Sequence, residues 1–222
     1  MVYTDRVQAG QVLAKAVAHL KGQQGLVVLG VPRGGVVVAA QVAHALGAPL
    51  DVAITRKVGA PGNPEFAIGA VSEGDALVLD EDIIRQLGIP EAYVQEEVAR
   101  QRLELARRLA RYRGGRAPVP VQGKTVILVD DGVATGATML ATVRTLRARG
   151  PARIIVAVPV ASADALDRLA QEADEVVCPY VPAFFWAVGA FYEQFDQTTD
   201  EEVVRLLQTY GSQQEPGDTR AP

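Results

Sequence analysis

Short apolar runs alternate along the chain with stretches in which apolar residues return every three or four positions. Residues 26–31, Leu26 to Val31, form an unbroken apolar run, the pattern of a strand buried on both faces. Residues 35–46 follow as a helix, closed by Gly47 and Pro49. A second strand is predicted over 50–55. Residues 56–65 carry Gly59, Pro61, Gly62 and Pro64, and are predicted to be a mobile loop. Residues 66–71 and 76–79 are predicted to pair as a hairpin across 72–75.

The clearest helix is predicted over 90–112, where Val94, Val98, Leu105, Leu109 and Tyr112 share one face. Glutamates lead it and arginines follow, as the helix dipole prefers. Gly114 and Gly115 end it, and 116–124 is a connector. Strands at 125–129, 153–160 and 175–181 then alternate with helices at 137–149, 163–170 and 199–210. Thr199 supplies a cap for the last helix. Residues 211–222 are polar with Gly and Pro and are expected to be a disordered tail. This alternation predicts an α/β fold: a mostly parallel sheet flanked by helices, built as one domain over 1–210. Ligands of such sheets sit at the carboxyl ends of the strands, so chemistry is to be sought in the loops that follow strands.

Composition narrows the picture. Of 222 residues, 49% are apolar, enough for a sizeable core. A net charge of -4 and a pI near 5.3 argue against a general nucleic-acid binder. A small anion needs only a local positive site, so it stays open. The lone cysteine, Cys178, reads as a core residue and allows no disulfide within the chain, which suits a reducing compartment. The first residues, Met1 to Arg6, are charged early, and no secretory signal is expected there. The apolar stretch 35–50 is broken by Gln41 and His44 and is too short to span a membrane. A soluble cytoplasmic protein is expected.

The candidate chemistry lies after the strand 125–129. The chain there reads Asp130, Asp131, Gly132, Val133, Ala134, Thr135, Gly136, Ala137, Thr138. Small residues let backbone N–H groups approach a phosphate, and the helix start adds a positive dipole end. Thr135 and Thr138 add hydroxyl donors. Asp130 and Asp131, beside this cradle, suit the two hydroxyls of a sugar with a divalent cation nearby.

This segment resembles the motif by which the type I phosphoribosyltransferase family binds 5-phosphoribosyl-1-pyrophosphate (PRPP): an apolar strand, two acids, then small residues with Thr-Gly-x-Thr. Two further loops follow strands in that family's order. Leu29, Gly30, Val31, Pro32, Arg33, Gly34 and Gly35 resemble its pyrophosphate loop, with Gly34 and Gly35 for close approach and Arg33 as a cationic fork. Arg56, Lys57, Val58, Gly59, Ala60, Pro61 and Gly62 resemble its flexible lid, in the version seen in adenine-using members.

The resemblance implies a Mg²⁺-dependent enzyme that transfers the phosphoribosyl group of PRPP to a nitrogenous acceptor, such as a purine-like base, and releases pyrophosphate. It implies catalytic roles for Asp130, Asp131, Arg56 and Lys57. Arg33, Gly34, the acid pair and Val133 to Thr138 would hold PRPP, and Mg²⁺ would sit at Asp130 and Asp131 through water. Members that use 6-oxopurines carry a third acid where this chain has Ala134. The family selects its acceptor with a small hood, here expected at about 180–198. There Phe184, Phe185, Trp186, Phe191, Tyr192 and Phe195 crowd together. They suit either an acceptor platform or an apolar cluster packing the C-terminal helix or a second subunit. The helix at 90–113 is an insertion relative to the family core. Its Arg107, Arg108, Arg111, Arg113 and Arg116 read as a solvated face with pairs such as Glu96–Arg100 and Glu104–Arg108; a phosphate- or RNA-contacting patch is the sharper alternative. His19 and His44 read as surface or packing residues. A homodimer is the expected assembly. The alternative function is a non-catalytic regulator that senses PRPP on the same fold. A dinucleotide-binding oxidoreductase is disfavoured, since no Gly-x-Gly-x-x-Gly follows the first core strand.

Overall fold

The computed structural model describes residues 2–211; the predicted tail lies, Gly211 apart, outside them. In chain order the elements are α1 (Arg6–Ala16), β1 (Leu26–Gly30), α2 (Gly34–Leu46), β2 (Leu50–Val52), β3 (Thr55–Ala60), β4 (Asn63–Ser72), β5 (Leu77–Leu79), α3 (Glu81–Gln86) and α4 (Glu91–Arg113). The second half adds β6 (Thr125–Val129), α5 (Ala137–Arg147), β7 (Arg153–Ala157), α6 (Ala163–Leu169), β8 (Glu175–Val177) and α7 (Asp200–Tyr210).

Five strands form one parallel sheet in the order β2-β1-β6-β7-β8. β1 and β6 are buried along their whole length, which is why their sequences are unbroken apolar runs rather than alternating ones. On one face α2 packs between α1 and α7, with Leu13, Val38, Val42, Val203 and Leu207 in a common core. On the other face α5 and α6 cover the sheet through Met139, Val143, Leu146 and Leu169. β1 and β6 are neighbours, yet the helices that follow them lie on opposite faces. The two loops therefore part at this point and leave a crevice beyond the strand ends, the usual place for a ligand in a sheet of this kind.

The remaining strands form a separate antiparallel sheet, β3-β4-β5. Val58, Ile68 and Val71 from it pack against Ile89 and against Val94 and Val98 of α4. Farther along, Leu105 and Tyr112 of α4 join the core of the main sheet. At its C-terminus, buried Arg113 donates to Asp51 at 2.8 Å and also pairs with Glu73, which Arg149 meets at 3.2 Å. The helix is thus fixed at both ends.

The structure corrects three expectations. Residues 56–65 are not a loop but most of the β3–β4 hairpin. Gly62 turns it at φ 72°, and Gly59 sits at a register shift where a Cβ would come within 2.7 Å of Pro64. The glycines and prolines read as signs of mobility shape a bulge and a turn instead. The strand expected over 50–55 stops at Val52, because Thr55 and Arg56 pair with β4. Arg100 pairs with Glu97 at 2.6 Å in place of the expected Glu96. The hairpin anticipated across 72–75 does form, with Gly69 opposite Leu79 and Val71 opposite Leu77. α1, which the sequence pattern did not announce, is capped by the Asp5 carboxylate, which accepts from the Gln8 amide at 2.7 Å.

Candidate active site

Asp130 and Asp131 end β6 and lie against the loop that ends β1. A Cβ on Gly34 would collide with Asp131 Oδ2, and one on Gly35 would fall 2.7 Å from Asp130 Oδ1. Only glycine lets the two loops meet this closely. Asp130 Oδ1 accepts from the Asp131 amide at 2.8 Å. Burial, and then the neighbouring Asp131 carboxylate, push the Asp130 carboxyl well above the usual carboxylate range.

Asp131 has partners from the far ends of the chain. Arg6 Nε, in the first turn of α1, donates to Asp131 Oδ2 at 2.7 Å, and Arg6 Nη1 donates to the Asp196 carbonyl at 2.7 Å. The same guanidinium lies 3.9 Å from the centre of the Phe195 ring. The Tyr192 hydroxyl donates to the Asp131 carbonyl, and burial raises its pKa. No local pattern marks Arg6 as a site residue, for its partner is 125 positions away.

The small-residue loop then divides. Val133 is buried, and its N–H donates to Val160 at 3.0 Å, so it anchors the loop. Ala134, Thr135, Ala137 and Thr138 are exposed. Gly136 turns the chain into α5 at φ 77°. The Ala134 carbonyl accepts from the Ser162 hydroxyl at 2.6 Å, and the Thr135 carbonyl accepts from Arg168. With its carbonyls tied back, the loop leaves the start of α5 open to solvent.

Beyond the ends of β1 and β2 is a cavity of about 780 Å³. Pro32 and Arg33 line it with Thr55, Arg56 and Thr138; α4 adds Glu104, Arg107, Arg108, Arg111 and Tyr112, and α7 adds Asp200. Lys57 lies in an adjoining cavity of about 310 Å³, which shares Thr55, Arg56 and Thr138. It also meets Glu65 at 3.7 Å. Arg33, Arg56 and Thr138, from three separate segments of the sequence, therefore share one cavity. Arg107, Arg108 and Arg111 of α4 are exposed and border the cavity, and Arg108 makes the expected pair with Glu104 at 3.2 Å. Arg113 departs from that face and is buried, and Arg116, beyond the helix, binds the Leu207 carbonyl.

The aromatic cluster also divides. Phe185 packs on Phe191 with ring centres 4.9 Å apart, and Tyr192 on Phe195 at 5.0 Å. Phe185, Phe191 and Tyr192 pack with Tyr3 and Ala9 in a small cluster of their own. Phe184 and Trp186 are exposed by 78% and 86%, so they are not part of that cluster. Among the described residues, no group of three or more His, Cys, Asp or Glu side chains is gathered as a metal cage. No helix among them is long and apolar enough to cross a membrane.

A family model described as the phosphoribosyl transferase domain matches residues 5–196. Two Mycobacterium tuberculosis proteins, each named a candidate phosphoribosyl transferase, are 46% identical over 206 residues, or 93% of this chain. The match takes in 46% of each of those proteins, so the chain spans about half the length of the curated relatives it matches. A crystal structure of the protein TT1426 from Thermus thermophilus is similar with a TM-score of 0.85 and 51% identity, over 95% of this chain and 99% of that one.

Proposed function

The chain belongs to the phosphoribosyl transferase domain family, and from that premise we propose that it transfers the 5-phosphoribosyl group of PRPP to a nitrogenous acceptor with release of pyrophosphate. A purine-like base is the acceptor class that its resemblances favour. One observation carries this reading: Asp130 and Asp131 rest directly on Gly34 and Gly35, with the open start of α5 one loop away. An acid pair, a close-approach glycine loop and an anion cradle stand together in the crevice between β1 and β6.

The residues divide the donor among them. Exposed Thr135 and Thr138, with the backbone from Ala134 to Thr138, hold the 5′-phosphate at the start of α5. Asp130 and Asp131 face the ribose hydroxyls and offset the positive charge that develops on the ring. Arg33, Gly34, Arg56 and Lys57 face the pyrophosphate. In the transfer, the bond from C1 to the pyrophosphate oxygen breaks, and its electron pair leaves with pyrophosphate. The acceptor nitrogen gives its lone pair to C1 and passes its proton to water or to the departing pyrophosphate. Ala134 has no side chain to take that proton, which favours acceptors that need no base at this point. Two carboxylates without a third suit Mg²⁺, which keeps several waters and takes substrate oxygens as further ligands. When bound, the ion neutralises charge on the leaving pyrophosphate. A reducing, cytoplasmic setting and a homodimer complete the reading.

The test is pyrophosphate release from PRPP with Mg²⁺ across a panel of purines, pyrimidines and small amines. Release that depends on one acceptor is the expected result. Tight binding of PRPP with no release for any member would sink the transferase reading in favour of a PRPP-sensing regulator.

A further inference from the structure

We propose that α4 supplies a fixed pyrophosphate grip: Arg107, Arg108 and Arg111, with Arg33 and Arg56, form one pocket that holds the pyrophosphate group of the donor. This rests on the reading of the chain as a PRPP binder and assigns α4 a part in it.

The cavity of about 780 Å³ is where three independent segments converge. Arg33 comes from the loop after β1, Arg56 from the start of β3, and Arg107, Arg108 and Arg111 from α4. The spacing on α4 brings these side chains to one side, because positions three and four apart on a helix are neighbours. Thr138, at the start of α5, lies in the same wall. The start of α5, where the 5′-phosphate is assigned, and the arginines of α4 therefore border one cavity.

Charge supports the assignment. Five guanidinium groups line the cavity against two carboxylates, Glu104 and Asp200, which leaves three positive charges in excess. The chain as a whole carries -4, so the excess is local. The two acids act as spacers. Glu104 meets Arg107 at 3.1 Å and Arg108 at 3.2 Å. Asp200 meets Arg111 at 2.8 Å and Arg33 at 3.9 Å, and also accepts from the Tyr112 hydroxyl at 2.8 Å. Arg107 and Arg108 are thereby held side by side, each with one nitrogen on Glu104, while Arg111 is held by Asp200 and, at 3.3 Å, by Glu201 outside the cavity. Planar forks of this kind take phosphate oxygens two at a time.

The wall is also anchored. The Tyr93 hydroxyl donates to the Gly59 carbonyl at 3.0 Å, Arg56 Nε donates to Gln101 at 2.9 Å, and Arg113 is buried on Asp51. A grip on a fixed helix needs no loop to order before it binds. A concave pocket of this size suits a short polyanion better than an extended nucleic-acid backbone, which is tracked by a groove or stripe.

The experiment is calorimetric titration of the whole protein with inorganic pyrophosphate and, separately, with ribose 5-phosphate. Arg107 and Arg108 are exposed by 80% and 49%, so the double variant Arg107→Ala with Arg108→Ala keeps the fold. Its pyrophosphate affinity is expected to fall roughly 10- to 100-fold, as for the loss of charge-assisted contacts, with ribose 5-phosphate affinity unchanged. Glu104→Gln removes a spacer acid and is expected to tighten pyrophosphate binding. Unchanged pyrophosphate affinity in the double variant would overturn the assignment, as would an equal fall for ribose 5-phosphate. Failure of the functional reading looks different: a wild-type protein that binds pyrophosphate through these arginines yet takes up no PRPP retains the grip and loses the transferase.

Discussion

Arg6 and Asp131 are joined at 2.7 Å, across 125 positions of sequence, with side chains only 12% and 15% exposed. The contact ties the start of α1 to the acid pair that follows β6.

Arg6→Ala therefore leaves a half-buried carboxylate without its cation and removes the contact with Phe195. Loss of about 1–3 kcal/mol of stability is expected, the usual cost of an orphaned buried acceptor. Denaturant unfolding measures it; a midpoint equal to wild type would show that Asp131 finds solvent or another donor at no cost.

Gly34→Ala is expected to be far worse than its size suggests. The added methyl overlaps Asp131 Oδ2 and comes within 2.6 Å of Arg6 Nε, so either the pair separates or the loop shifts. About 1–3 kcal/mol of stability should go, as for an overpacked core, and PRPP affinity with it. A thermal melt and a PRPP titration that both match wild type would contradict the packing described.

Asp130→Asn combined with Asp131→Asn keeps the shape and removes the charge. PRPP affinity is expected to fall by about 100-fold, two charge-assisted contacts becoming neutral ones. Normal affinity in this variant would remove the ribose assignment.

Arg113→Ala tests the anchor of α4. It leaves Asp51 and Glu73 facing each other without their shared cation, although Arg149 still meets Glu73 at 3.2 Å. Removing one member of a buried ionic group costs about 3–5 kcal/mol. A loss well below about 1 kcal/mol would mean that water or Arg149 replaces the guanidinium.

Burial pushes the Cys178 thiol up to about 11, and its sulfur lies 3.2 Å from the Tyr180 carbonyl. Only the thiolate alkylates, so iodoacetamide should react slowly at neutral pH and speed up only as pH approaches that value. The folded protein holds the proton between 9.0 and about 11, where the unfolded chain has lost it; this contribution to stability is therefore present below 9.0 and declines across that window. Alkylation as fast in the native as in the denatured protein would refute the burial.

What could be read from the sequence was local. The run from Val126 to Thr138 contains its own strand, acids, turn and helix start, and the structure keeps that order. The parallel sheet followed from alternation alone. The β3–β4 hairpin did not, because Gly59, Pro61, Gly62 and Pro64 look the same as breakers whether they loosen a loop or shape a turn. α1 has Gly10 in its interior, where the lack of a side chain lets it lie against Gln41 of α2, a reason visible only in three dimensions. The positions of Arg107, Arg108 and Arg111 on one side of α4 were legible as spacing, but what that side faces depends on where Arg113 pins the helix.

The β3–β4 hairpin carries a thermodynamic consequence. A disordered segment that closes over a ligand gives up about 1–2 kcal/mol of backbone entropy for each residue it fixes. From Arg56 to Gly59 that freedom is already lost to cross-strand pairing with β4. In the proposed function Arg56 and Lys57 would meet pyrophosphate as preformed partners, with little of their attraction spent on ordering the chain that bears them.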